Sequence, residues 1–290
     1  MAKEFVGQEY SVATNGKGLE QTSRKERRLT KATVLFSVAV MLISVAMIAV
    51  CAVFVLSPVS GTSMMRELNA TGQDTDSALT FRLGNAKRGD IIITKLYLKD
   101  TGDDDNDPYN LNTKYPNVDS NGHYMYIIKR LIAVAGDHIT MQREPAVTNP
   151  LTDEDYNYSI YLNGERLVED YLDPEVAHPR SVNFIQLWRV LNNPYTYPNT
   201  LNDWRATAYA DCVADGVLTV PEGYWFFMGD NRGGNVAAYH NSWDCAYFGP
   251  QPANYCTGVC VDVVVGERNF PAYLWNKIVY YVFFGWAWQK

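Results

Sequence analysis

The feature that most constrains this chain is an uninterrupted apolar run near its N-terminus. Residues 32–56 are 25 consecutive residues without a charge. A helix needs about 20 apolar residues to cross a bilayer, so the run predicts a transmembrane helix over 32–56. The run is longer than the roughly 7–15 apolar residues of a signal-peptide core, and no clear small-x-small cleavage site follows it. A retained anchor is therefore favoured over a cleaved leader.

The charges on either side of the run predict its orientation. Residues 1–31 contain seven Lys or Arg and four Glu, whereas 57–290 contains 18 basic and 28 acidic side chains. Basic residues just before a spanning helix favour the cytoplasmic side of the cell membrane. We therefore expect a flexible cytoplasmic tail over 1–31 and an extracytoplasmic domain after residue 56. The net charge of −7 argues against a nucleic-acid partner, which would need a basic face.

The patterns after the apolar run are typical of strands. Runs of β-branched and aromatic residues alternate with turn signals, and the Asn163-Gly164 pair predicts a tight hairpin. These features predict a mainly β domain over 57–270, with a loop over 69–87 and inserted segments at 97–124 and 173–216. The predicted strands are 91–94, 126–134, 223–228 and 259–265.

The C-terminal segment, 271–290, is strongly aromatic. Its apolar part, 278–288, has only 11 residues, which is short for a span. Trp and Tyr suit the headgroup layer, so we expect this segment to associate with the membrane interface. A tilted second span is the alternative.

Four of the five cysteines fall in the predicted extracytoplasmic domain: Cys212, Cys245, Cys256 and Cys260. An even number of cysteines outside the cell favours one or two disulfides, with three possible connectivities. A zinc site is the alternative because the Cys256-x-x-x-Cys260 spacing is compatible with a metal, but the other two cysteines form no recognised second pair.

An acidic stretch at 103–108 has spacing that suggests a calcium loop. Pro108 stands where an EF-hand requires Gly, and Lys114 stands where it requires Glu. We therefore expect a solvated loop there and no metal or other cofactor in the protein.

Ser63 is a candidate nucleophile close to the membrane. It lies seven residues after Leu56, which keeps it within about 25 Å of the end of the apolar run. A serine hydroxyl needs a base to take its proton. The four histidines lie in polar or turn-like stretches without a recognisable triad partner, and lysine is the other established base for serine. These histidines are His123, His138, His178 and His240.

Lys129 is the candidate base. On a strand, its face is shared with Ile127, Leu131 and Ala133, all of which are apolar. To act as a base its pKa must fall from about 10.4 toward 7–8, at a cost of roughly 3–5 kcal/mol. The plainer interpretation of each residue alone is a linker serine and a lysine that snorkels from a strand edge to water.

Five ordered blocks give a more specific signal. They are 61–68, 88–92, 126–137, 162–172 and 220–232. Together they resemble the bacterial type I signal peptidases, membrane-anchored serine proteases of the S26 kind. The resemblance implies a β-rich catalytic domain of coiled antiparallel sheets behind a transmembrane helix. It also implies removal of signal peptides from exported preproteins at the bilayer, without a cofactor.

The resemblance assigns roles to individual residues. It implies that Ser63 is the nucleophile and Lys129 the general base, and that Ser242 orients the lysine. Arg130 and Asp230 are expected to form a supporting ion pair. The residues expected to bind the substrate are Val59, Gly61, Met64, Ile127 and Ile128.

The chain departs from the family pattern at three places. Arg66-Glu67 replaces the usual Pro-Thr after the nucleophile, and Ala246 replaces an arginine after a longer stretch than usual. Gly61 stands where some relatives carry a serine that donates to the oxyanion. These departures and the two inserts keep two alternatives open: a specialised peptidase for a few surface or pilin-like precursors, and an anchored binding ectodomain without catalysis. A self-cleaving repressor is excluded because no DNA-binding segment precedes the serine.

Overall fold

The fold is mainly β, with a curled antiparallel sheet and an N-terminal apolar helix, as predicted. The computed structural model describes residues 16–65, 67–69, 75–96, 126–192, 212–233, 242–266 and 269–279. The insert at 97–124, the acidic stretch at 103–108, His123, His240 and residues 193–211 of the second insert lie outside the described residues. The chain divides into two compact units, 1–52 and 53–290.

Helix α1 spans Gly16–Val53, so both of its ends differ from the prediction. Residues 17–31 were expected to be irregular, but their Lys, Arg, Glu, Gln and Leu are good helix formers and continue the apolar helix. At the other end, residues 54–56 leave the helix and begin a strand, because they pair with residues 79–81. Arg24–Val53 is the one described helix that is long and apolar enough to cross a membrane.

The larger sheet has seven strands in the order β1-β2-β12-β3-β4-β10-β11. The expected loop over 69–87 is wrong in part, since it contains β2. This strand carries Ser77 and Thr80, which are polar but fully buried between β1 and β12, so hydropathy conceals it. The seven strands are β1 Phe54–Pro58, β2 Asp76–Phe81, β3 Ile91–Lys95, β4 Tyr126–Val134, β10 Tyr224–Met228, β11 Gln251–Pro252 and β12 Cys256–Val265.

The smaller sheet has five strands in the order β7-β6-β5-β9-β8. The predicted hairpin at Asn163-Gly164 is confirmed: Leu162 pairs with Glu165, and the two turn residues have φ of 53° and 85°. Two positive φ values are those of a type I′ turn. The five strands are β5 His138–Pro145, β6 Tyr156–Leu162, β7 Glu165–Arg166, β8 Val213–Ala214 and β9 Val217–Thr219.

Three further helices and two short 3-10 turns complete the described elements. Helix α2 lies inside the predicted insert and buries Phe184, Leu187 and Leu191 against the main core. Helix α3 follows the turn after β10, and helix α4 exposes Trp275 at the start of the C-terminal aromatic segment. The bounds are α2 Val182–Asn192, α3 Cys245–Phe248, α4 Phe270–Val279, and 3-10 turns Asp153–Asp155 and Ala253–Tyr255.

The core has two parts, and strands β3 and β4 contribute to both. Ile92 and Leu131 belong to the larger cluster, whereas Ile91, Ile93 and Ile128 belong to the smaller one. Successive side chains of a strand point to opposite faces, which explains this division. Lys129 pairs with Ile92 across the ladder and therefore shares the face of the larger cluster.

The expected disulfides are not formed, because all five cysteines are thiols. Cys256 and Cys260 lie on the same extended strand, β12, where residues four apart are about 13 Å apart and too distant to bridge. Cys212 and Cys245 are buried in the larger cluster instead. The described residues contain no group of three or more His, Cys, Asp or Glu side chains that could hold a metal ion.

Asn69 fastens the segment that carries Ser63 to the sheet. Its side-chain amide donates to the carbonyls of Val59 at 3.2 Å and Gly61 at 3.0 Å. Its amide oxygen accepts the Asp76 N–H at 3.1 Å, and its own N–H donates to the Asp76 carboxylate at 2.7 Å. Asn69 has φ of 54°, a conformation that Asn tolerates better than most residues.

Replacing Asn69 by alanine should lower the free energy of unfolding by about 2–3 kcal/mol, because the change orphans buried groups and strains the backbone. Thermal denaturation in detergent measures the loss. Asn157, which is exposed on β6, is the matched control, and Asn157→Ala should change stability by less than about 0.5 kcal/mol. Equal effects of the two substitutions would contradict the role assigned to Asn69.

Candidate active site

A cleft of about 540 Å³ opens along the concave side of strands β1 to β4. It has an apolar wall and a few polar groups, and Ser63 and Lys129 both line it. The other lining residues are Val55, Leu56, Ser57, Pro58, Val59, Ser60, Thr80, Arg82, Ile93, Tyr126, Ile127, Ile128 and Thr257.

The cleft contains three of the five residues expected to bind substrate. Val59, Ile127 and Ile128 line it, but Gly61 and Met64 do not. Met64 is only 1% exposed because its long side chain packs into the smaller core cluster below the cleft. The Gly61 carbonyl accepts a hydrogen bond from the Asn69 side-chain amide.

The structure brings Ser63 and Lys129 into hydrogen-bond contact. The Lys129 amine lies 3.0 Å from the Ser63 hydroxyl oxygen, although the two residues are 66 positions apart. The same amine donates to the carbonyl of Ile128 at 2.9 Å. Lys129 is 3% exposed, so the snorkelling alternative does not hold.

Burial lowers the pKa of Lys129 from 10.5 to about 8. Taking an ammonium out of water disfavours the charged form, and this effect outweighs the nearby negative charges. Those charges belong to Asp244 and Asp230, and each raises the pKa of Lys129 in part. The apolar face predicted for Lys129 is present, since Leu131 and Ala133 are fully buried.

Asn231 holds the backbone of the serine segment from the opposite side. Its N–H donates to the Ser63 carbonyl at 3.1 Å, and its side-chain amide donates to the Thr62 carbonyl at 3.0 Å. Sequence reasoning placed a turn here but gave Asn231 no role. Its position between Asp230 and Arg232, in a block resembling the family, was the available signal.

Ser242 lies beside the pair, but its hydroxyl does not bond to Lys129. The Ser242 hydroxyl is buried and makes no hydrogen bond within the described residues, so the predicted orienting contact is not formed. It lies against Gly229 instead: a methyl group added at Gly229 would be 2.1 Å from the Ser242 oxygen and 2.4 Å from the Ser63 carbonyl. The absence of a side chain at residue 229 is what lets these segments meet.

Two buried ion pairs support the turn after β10. As predicted, Arg130 binds Asp230 through two hydrogen bonds of 2.9 and 2.6 Å, and its guanidinium lies 3.9 Å over the Tyr171 ring. The second pair was not predicted: Arg232, fully buried, binds Glu169 at 2.6 Å and donates to the Gly229 carbonyl at 2.5 Å. Together they fix residues 229–232 beneath the cleft.

The two described histidines are away from the cleft. His138 is exposed, with a ring nitrogen 3.0 Å from the Thr219 hydroxyl. His178 accepts the Arg180 N–H at 3.2 Å. Neither residue lines the cleft, so within the described part of the chain Lys129 is the basic side chain that contacts Ser63.

The edge of β4 is open next to the pair. The Leu131 N–H bonds to Asp90, and alternate residues of an antiparallel strand bond to opposite neighbours, so Ile128 directs its backbone groups away from β3. On that side the pairing with β10 ends at Arg130. The described residues thus leave the N-terminal part of β4 available to an added strand.

A family model described as signal peptidase, peptidase S26, matches residues 30–265. The chain belongs to this family. Membership of this family supports the removal of signal peptides in general, and so a protease with signal-peptide-bearing substrates. The crystal structure of a signal peptidase I from Enterococcus faecalis V583 is similar at 22% sequence identity; the match covers 61% of this chain and 98% of that chain, with a TM-score of 0.27. No curated protein sequence matches the chain.

Substitution of Gly229 tests how closely the peptidase packs its site. Gly229→Ala should reduce cleavage of a signal-peptide substrate by at least about 100-fold, because the methyl group would push Ser242 and the Ser63 carbonyl apart. Gly223, at the other end of β10, has φ of 78°, so Gly223→Ala strains the backbone but places its methyl in open space, and it serves as the control for loss of a glycine without a clash. Equal activity of both variants per folded molecule would show that the close contact is unimportant.

Proposed function

We propose that this peptidase cleaves signal peptides with Ser63 as nucleophile and Lys129 as general base, through an acyl-enzyme. The observation that carries the proposal is the 3.0 Å separation between a desolvated lysine amine and a serine hydroxyl in an open cleft. Serine–lysine pairs are an established alternative to the serine–histidine pair.

The surroundings of the amine favour its use as a base. A neutral amine has two N–H groups and one lone pair. The Ile128 carbonyl accepts one N–H, and this contact helps to direct the lone pair toward the Ser63 hydroxyl. A pKa of about 8 leaves roughly one tenth of the amine neutral at pH 7, enough to support turnover.

The proposed reaction has two stages. In the first, Lys129 takes the Ser63 proton while the serine oxygen bonds to the scissile carbonyl carbon; the C–N bond then breaks and the leaving amine takes the proton from Lys129. In the second, Lys129 takes a proton from water, the water oxygen attacks the ester, and Ser63 regains its proton. The Ser63 N–H, which has no acceptor within the described residues, is suited to stabilise the negative oxygen.

Substrate recognition is proposed to use an added strand. The Ile128 N–H, which points away from β3, is available for a main-chain hydrogen bond to an extended peptide in the cleft. Val59, Ile93 and Ile128 provide apolar surface around Ser63, which suits the small-x-small residues that end a signal peptide.

The membrane arrangement is also part of the proposal. Arg24–Val53 is compatible with an anchor, and the basic residues before it favour a cytoplasmic N-terminus. The catalytic unit would then act outside the cytoplasm, close to the bilayer that holds the hydrophobic part of the substrate. The segment 271–290, which includes most of α4, would add an interfacial contact.

Alanine substitutions test the assigned roles directly. Ser63→Ala and Lys129→Ala should each lower kcat/KM for a preprotein at least about 1000-fold, because each removes one half of the reacting pair. Lys87→Ala, an exposed lysine before β3, is the control and should retain full activity. The measurement is release of mature protein from purified preproteins. Unchanged processing by both variants would overturn the assignment of Ser63 and Lys129, and no processing by the unmodified protein would favour a binding ectodomain. Cleavage of only a few of several unrelated preproteins would favour a specialised peptidase.

The pH dependence identifies the base. Because the pKa of Lys129 is lowered to about 8, the neutral form is populated above pH 8 and lost as the pH falls. We expect log kcat/KM to rise with unit slope up to about pH 8 and then level off, so that activity at pH 6 is about 1% of the plateau. A limb near pH 6.5 would indicate a histidine base instead.

A further inference from the structure

Asn183, in the first turn of α2, connects the second insert to the site. Its side chain is fully buried, and its amide N–H groups lie 2.9 Å from the Ser242 carbonyl and 2.9 Å from an Asp244 carboxylate oxygen. Its backbone N–H donates to the Arg232 carbonyl at 3.1 Å. One asparagine thus contacts the described segments on both sides of residues 234–241.

Asp244 is a buried carboxylate bound by N–H groups. One oxygen accepts the Gly229 N–H at 2.9 Å together with the Asn183 amide, and the other accepts the Ala246 N–H at 3.0 Å. Burial raises the pKa of Asp244 above its ordinary value, and the N–H groups of Gly229 and Ala246 and the charges of Arg232 and Lys129 oppose this rise. The hydrogen-bond donors therefore help to keep this carboxylate ionised.

The charge on Asp244 acts on Lys129. Two carboxylates near the lysine raise its pKa, Asp244 first and then Asp230 after β10, whereas the buried Cys245 thiol on α3 is neutral. Asp230 is already bound to Arg130. Asp244 is therefore the carboxylate whose state most affects the lysine.

We propose that Asn183 is a positioning residue that holds Ser242 and Asp244 against the Gly229 turn, so that a helix outside both sheets controls the surroundings in which Lys129 acts. This inference rests on the proposed function for its kinetic readout. Asn183 does not contact Ser63 or Lys129; it acts through Asp244.

The direction of the effect follows from the charges. Without the Asn183 amide, the Asp244 carboxylate loses a donor and is protonated more easily. Lys129 then loses a favourable negative neighbour, so its ammonium form is less stable. The acidic limb of the activity profile therefore moves to lower pH, while kcat falls because the segment is held less firmly.

Asn183→Leu removes the donors with little change in volume. We expect the acidic limb of the kcat/KM profile of this variant to shift down by about 0.5–1 pH unit, a 3- to 10-fold change in the proton affinity of Lys129. The value of kcat should change more than the value of KM. Gln186→Leu is the matched control: Gln186 is a buried amide one turn away on α2 that makes no hydrogen bond within the described residues, so the limb should stay in place. Asn183→Ser, which is small and suits a first helical turn, keeps one donor and should give an intermediate shift.

A second measurement separates this inference from the proposed mechanism. The Lys129 amine is titrated by NMR in full-length protein labelled with 13C-lysine in detergent, and Lys129→Ala identifies its signal. A downward shift in Asn183→Leu supports the inference even if Ser63→Ala proves active and the proposed mechanism fails. An unshifted or upward-shifted titration in both Asn183 variants overturns the inference, whether or not their activity falls.

Discussion

The interaction on which the site depends is the contact between a lysine amine without water and a serine hydroxyl. Lowering the pKa of Lys129 from 10.5 to about 8 corresponds to about 3 kcal/mol of preference for the neutral amine. A single apolar neighbour does not provide this. The preference comes from the apolar face of β4, from Ile92 opposite it, and from residues 245–248, which belong to the same buried cluster as Ile92.

The same enclosure must keep buried acids from capturing the lysine. A direct carboxylate partner would hold the amine as an ammonium and remove the base. Asp230 instead forms two hydrogen bonds with Arg130, and the Asp244 oxygens are occupied by N–H groups of Gly229, Ala246 and Asn183. The Arg130–Asp230 ion pair and the N–H groups around Asp244 thus keep two negative charges near Lys129 while binding both carboxylates away from its amine.

The parts that the sequence predicted are those with local patterns. Strand alternation placed Lys129 on an apolar face, the block order pointed to Ser63, and Asn163-Gly164 indicated its hairpin. The hydropathy pattern did not predict strand β2, because this strand is buried by its two neighbours, β1 and β12, although it contains polar residues. Asn183 could not be found at all, since it belongs to no motif and its contact is with Asp244, 61 positions further along the chain. The expected disulfides are not formed because the number of cysteines says nothing about their separation, and Cys256 and Cys260 lie too far apart on one strand.

These long-range contacts couple the lowered pKa of Lys129, the proposed base, to complete folding. Ser63, Lys129 and Asn231 come from segments separated by three other strands of the sheet and by helix α2, so the lysine loses water only when all of them have packed. In an unfolded chain Lys129 returns to its ordinary pKa, and no neutral amine is available at pH 7. Because the unfolded state binds more protons between about pH 8 and 10.5, the fold itself gains stability as the pH rises through that range. The neutral amine of Lys129 is therefore populated near pH 7 only when the sheet is assembled.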